Sequence, residues 1–81
     1  MFWKIADELY TLSRKVLKET NYSIHLEINE RAIHVWIKKN GNGTGFDGVY
    51  DIYNRDTMRE LSLDNYEMAR KHLERLLKER T

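Results

Sequence analysis

Two short segments in the middle of this chain alternate apolar and polar residues, and they match each other in one register. Residues 22–28 read Tyr-Ser-Ile-His-Leu-Glu-Ile and residues 33–38 read Ile-His-Val-Trp-Ile-Lys. A period of two places successive side chains on opposite faces of a strand. Folded about Glu30-Arg31, the segments pair Ile28 with Ile33, Leu26 with Val35 and Ile24 with Ile37 on one face. The other face then carries Glu27 opposite His34, and His25 opposite Trp36. A slip of one residue would set Ile against His, so the apolar match selects the register. The turn Asn29-Glu30-Arg31-Ala32 is not of the favoured Asn-Gly type, which leaves its geometry open. The hairpin points a Trp away from the core and so marks a candidate contact surface.

Helical periodicity governs the N-terminal flank. Over residues 2–19, Phe2, Ile5, Leu9, Leu12 and Val16 form one stripe, and Trp3, Ala6, Tyr10, Ser13 and Leu17 form a second beside it. Together they cover about half the cylinder, wider than one packed face needs. Small domains often spread a helix over two neighbours, which favours a place in the groove between sheet and second helix. The alternative is that the Trp3–Tyr10–Leu17 edge is a seam of a homodimer or a partner contact.

Beyond the hairpin, residues 40–45 read Asn-Gly-Asn-Gly-Thr-Gly, a flexible connection by composition. A third strand is expected over 46–53, then a tight turn at Asn54-Arg55-Asp56-Thr57 and a short fourth strand from Met58 to Leu63. Tyr50, Ile52, Leu61 and Leu63 are expected inward. Asp47, Val49, Asp51 and Tyr53 then join Trp36 on the open face. The last helix is expected from about Asp64 to Arg80, capped by Ser62 or Asp64. Tyr66, Ala69, Leu73, Leu76 and Leu77 make its core stripe, with His72 at the stripe's edge and Met68 outside. The expected fold is a single α+β domain over residues 1–81: helix, three- to four-stranded antiparallel sheet, helix. Both helices should share one face, because the inward residues of all strands lie on one side.

Bulk properties exclude several classes. A chain of 81 residues is one small domain, and such a domain buries roughly 60–65% of its unfolded surface. It has no Cys, which removes disulfides, thiol catalysis and Cys-ligated zinc, and fits a reducing, cytoplasmic setting. The start, Met-Phe-Trp-Lys-Ile-Ala-Asp-Glu, lacks the apolar run of a signal peptide, and no stretch is long and apolar enough to span a membrane. The net charge of +1, from 14 basic and 13 acidic residues, argues against binding driven mainly by phosphate neutralisation.

No motif adds a chemistry. Gly41-Asn-Gly-Thr-Gly45 precedes a strand rather than a helix and has no Lys-Ser/Thr pair, unlike a phosphate-cradling loop. Asn40, Asn42 and Thr44, with Asp51 further on, shadow a calcium loop that lacks its leading Asp and final Glu. His25, His34 and Glu27 offer ligand types suited to zinc or iron, but no third strong ligand is spaced nearby. No metal or cofactor is expected. Ser13, Ser23 and Ser62 sit on no sharp nucleophile turn, so catalysis is not expected. Arg70, Lys71, Arg75, Lys78 and Arg80 are interleaved with Glu67, Glu74 and Glu79. Glu67–Lys71, Glu74–Lys78 and Arg75–Glu79 are i,i+4 pairs of a solvated helix face.

The element order resembles the double-stranded-RNA-binding domain in topology. That family carries a Pro-containing loop between strands and a Lys-rich start to its second helix. This chain has no Pro, and its last helix begins Asp64-Asn-Tyr-Glu-Met-Ala69, so the RNA function is not implied. Val49-Tyr-Asp-Ile-Tyr-Asn-Arg-Asp-Thr57 and Tyr66-Glu-Met-Ala-Arg-Lys-His-Leu-Glu-Arg-Leu-Leu77 resemble a strand–turn–strand–helix unit of small phage and mobile-element proteins. That resemblance implies an accessory protein that binds and modulates another protein. The expected function is therefore a non-enzymatic protein-interaction module, an inhibitor or regulator. Its partner surface is His25, Glu27, His34, Trp36, Lys38, Val49, Asp51 and Tyr53. The alternative is a nucleic-acid-binding face that stacks bases on Trp36 and Tyr53, with Lys38 and Lys39 nearby.

Overall fold

A computed structural model describes residues 1–39 and 45–79 of the chain. Helix α1 spans Phe2–Glu19, and strands β1, β2 and β3 span Tyr22–Ile28, Ala32–Lys39 and Gly48–Tyr53. A 3-10 turn at Asp56–Met58 leads into helix α2, Arg59–Glu79. The fold is α+β, with an antiparallel sheet in the order β1-β2-β3. Helix α1 packs on β1, α2 packs on β3, and the helices touch each other. Both therefore cover the same face, over Ile33, Val35, Ile37 and Ile52.

The hairpin adopts the register that the alternation selects: Ile24 faces Ile37, Leu26 faces Val35, Ile28 faces Ile33, and His25 faces Trp36. The turn closes through the Asn29 side chain. Its Oδ1 accepts from the Arg31 N–H at 2.8 Å and the Ala32 N–H at 3.0 Å. An Asn that mimics the backbone in this way supplies the reversal that Asn-Gly would otherwise provide.

The first stripe of α1 is core: Ile5, Leu9 and Val16 are buried, and Phe2 and Leu12 pack against them. The second stripe divides. Ala6 and Ser13 are buried, whereas Trp3, Tyr10 and Leu17 stay exposed. The groove between sheet and second helix thus accounts for only part of this wide apolar surface.

Several expectations for the C-terminal third are corrected. No fourth strand forms at Met58–Leu63; these residues complete the 3-10 turn and begin α2, five residues before Asp64. Ser62 is not a cap but lies inside the helix, 5% exposed. The Ser62 Oγ accepts from the Tyr53 N–H at 2.8 Å and donates to the Tyr53 carbonyl at 3.0 Å. The Asn65 amide donates to the Asp51 carbonyl at 2.7 Å. Side chains of α2 therefore take the outer-edge bonds of β3 that a fourth strand would have made. Leu61 is exposed rather than inward, while Leu63 packs against the core as expected. Residues 40–44 of the flexible connection expected over 40–45 lie outside the described residues.

The helices are joined near the sheet by Tyr66, whose hydroxyl donates to Glu8 Oε2 at 2.6 Å. Loss of water around the phenol, then the bond to Glu8, pushes its pKa from 10.0 up to about 12. The unfolded phenol ionises first, so this stabilisation is present below pH 10 and fades as pH rises towards about 12. Urea titrations across that range should show wild-type stability falling faster than that of Tyr66→Phe. Parallel curves would exclude a Tyr66 contribution.

Candidate functional site

The face of the sheet that neither helix covers is built by the outward residues of all three strands. Trp36 occupies the centre of the central strand, with His25 of β1 as its register partner on one side and Val49 of β3 on the other. The His25 imidazole stacks on the indole at a centroid separation of 4.7 Å and an interplanar angle of 20°. Phe46 approaches the same indole from beyond the start of β3, at 6.0 Å and tilted by 49°. Val49 and Phe46 are 50% and 56% exposed, so an apolar strip runs across the middle of this face.

Charged groups rim the strip. His34 Nδ1 lies 2.6 Å from Asp51 Oδ1. Glu27 lies across from His34 in register, yet its carboxylate sits 3.8 Å from His25 Nε2. Lys38 and Tyr53 extend the same alternation to opposite ends of the face and are half-buried. The structure thus brings His25, Glu27, His34, Trp36, Lys38, Val49, Asp51 and Tyr53 onto one surface. Among the described residues, no group of three or more His, Asp or Glu side chains is placed to hold a metal ion.

Two residues depart from simple alternation. Continued back from β3, the period of two would point Asp47 outward and Phe46 inward. The opposite holds. The Asp47 N–H donates to the Ile37 carbonyl at 2.7 Å, although Ile37 is already the register partner of Gly48. At this irregularity the faces exchange, as at a β-bulge, where an extra residue re-aims the side chains around it. Asp47 turns to the helix side and Phe46 joins Trp36. Asp47 is therefore not part of the open face, and Phe46 is the site residue that alternation alone misses. Its sequence signal is an aromatic placed directly after the glycine-rich stretch, where no packing role is assigned to it.

On the helix side, Asp47 belongs to a polar chain that runs through the buried His72. Asp47 Oδ2 lies 2.6 Å from His72 Nε2, and His72 Nδ1 lies 2.7 Å from the Tyr50 hydroxyl. A neutral imidazole protonated on Nε2 satisfies both contacts, donating to Asp47 and accepting from Tyr50. Burial raises the Tyr50 phenol above its ordinary range; Arg75 pulls it down and Asp47 adds to the rise. The chain ends on a protonated phenol, so it ties α2 to β3 instead of producing a nucleophile. Further along α2, Arg70 bonds both Glu67 at 2.7 Å and Glu74 at 2.9 Å, and Arg75 lies 3.6 Å from Glu79. The acidic partners of this helix face thus converge on Arg70 more than the i,i+4 spacing indicates.

Among the described residues, no helix is long and apolar enough to cross a membrane. No family model, no curated protein and no solved structure matches this chain, so the function must be read from the geometry of the site.

Proposed function

We propose that this protein is a non-enzymatic interaction module that binds a protein partner through the uncovered face of its sheet. One observation carries this: an apolar strip of Trp36, Phe46 and Val49 lies at the centre of a face that neither helix covers. Contiguous exposed apolar surface with a polar rim is characteristic of protein contact sites. The stack on His25 holds the indole in one orientation, which reduces the entropy lost on binding.

Nucleic-acid binding is less favoured. Glu27 and Asp51 sit on the same face, and Arg70 of α2 is engaged by two glutamates. Trp36→Ala should weaken partner binding by about 2 kcal/mol or more, as expected for a central aromatic contact. Thermal unfolding should change far less, because the indole is outside the core. The test is affinity capture from cell lysate with the wild-type and Trp36→Ala proteins, followed by mass spectrometry. Identical captured sets would refute the surface, and captured nucleic acid that is released steeply by salt would favour the alternative.

A further inference from the structure

We propose that the free edge of β1 pairs antiparallel with β1 of a second copy of this chain, about a two-fold axis at Leu26. The two sheet edges are treated differently. The outer edge of β3 is covered by Ser62 and Asn65, which bond the Tyr53 and Asp51 backbone. Among the described residues, no such cover lies over the central residues of β1, and its sequence has neither the Pro nor the Lys that commonly blunts an exposed edge.

Hydrogen-bond parity identifies the open groups. The Ile37 carbonyl accepts from Asp47, so Ile37 directs its backbone towards β3. By antiparallel alternation, His34, Trp36 and Lys38 face β1 and meet Glu27, His25 and Ser23. The Asn29 N–H bond to the Ala32 carbonyl, at 3.0 Å, continues the same parity through the turn. Ile24, Leu26 and Ile28 are left with their N–H and C=O groups directed out of the sheet.

The side chains then choose the occupant and the register. A two-fold axis at Leu26 sets Leu26 against itself and Ile24 against Ile28 of the second copy, each pair matching open donor to open acceptor. On the open face, the same axis sets His25 against Glu27 of the second copy, and Glu27 against its His25. An axis at His25 would instead set imidazole against imidazole. The strand therefore sets an imidazole against a carboxylate on both sides of the axis, in one register. On the helix side, a groove runs beside this edge, with Tyr10, Leu17, Ile24, Leu26 and Ile28 as its apolar wall and Ser13 and Arg14 as its polar part. Tyr10 and Leu17 are its exposed flank, and pairing would bring the two flanks together over the joined sheet. The Trp36 strips would then lie on one continuous sheet, giving the module two binding faces on one side.

The test is sedimentation equilibrium of the full chain over a range of concentrations at low salt. The expected species has twice the 9.8 kDa chain mass. His25→Glu faces Glu27 of the second copy twice, and should raise the dimer dissociation constant about tenfold or more. The exchanged pair His25→Glu with Glu27→His should recover most of that loss, which only the Leu26 register allows. Leu17→Glu, at an exposed position, should abolish the dimer without unfolding the chain. In the wild type, hydrogen exchange at the Leu26 amide should quicken on dilution. A monomer at every concentration up to about 1 mM would overturn the proposal. A dimer that survives both single substitutions, or one lost with Trp36→Ala alone, would also overturn it.

Discussion

Leu73→Ala is expected to lower the free energy of unfolding by about 2–5 kcal/mol. Leu73 has no exposed surface, and it lies on the inward stripe of α2 within the core cluster that also holds Leu9, Val16, Ile33, Ile37 and Ile52. Removing its branched end forfeits transfer energy and leaves a cavity, because neighbours on the sheet cannot follow the shortened side chain. A domain this small is stabilised by on the order of 5–10 kcal/mol in total. The loss is therefore a large share, and the melting temperature should fall by about 10 °C or more. Leu61→Ala makes the matched control on the same helix. Leu61 is exposed, so its truncation should cost about 0.5 kcal/mol or less. Urea unfolding of the two variants measures the contrast. Equal losses would contradict the start of α2 at Arg59, since Leu61 would then be packed inward as a strand residue.

Gly48→Ala should destabilise the fold by about 1–3 kcal/mol, through space alone. A Cβ built on Gly48 would stand 2.7 Å from His72 Cε1 and Nδ1, and 2.9 Å from Tyr50 Cε2. The ring cannot swing away cheaply. Both its nitrogens are bonded, to Asp47 and Tyr50, and its side chain is only 7% exposed. Any shift of this nearly buried ring loses a bond to Asp47 or Tyr50. The clash makes the substitution strongly coupled to the histidine. In a His72→Ala background, Gly48→Ala should cost much less, because the imidazole clash is gone and the Tyr50 ring, released from its bond to His72, can move off its 2.9 Å contact. A double-mutant cycle by chemical denaturation should therefore give a coupling of about 1–3 kcal/mol. Additive losses would show that Gly48 is not held free by the imidazole.

The hairpin was legible in the sequence because its two segments match at every inward position, and a slip would have buried His against Ile. The long first helix was legible for the same kind of reason, since its apolar stripe persists over Phe2, Ile5, Leu9, Leu12 and Val16. Most of the open face followed directly, as His25, Trp36, Val49 and Asp51 are outward by parity once the register is set. The start of α2 was not legible. Met58–Leu63 is a short run whose spacing suits a strand nearly as well as a helix, and runs of that length carry little periodic information.

Local pattern, then, determined the strand pairing, the side of the sheet that Trp36 faces, and the helices that cover the other side. These depend on periodicity within one or two segments, which the residues themselves express. Contacts between residues far apart in the chain decided the rest. Ser62 and Asn65 became the cover of the β3 edge because α2 lies against it. Phe46 and Asp47 exchanged faces in a structure where His72, 25 residues further on, meets the Asp47 carboxylate. No alternation within β3 could announce that exchange, because the group that meets Asp47 belongs to the helix packed above it.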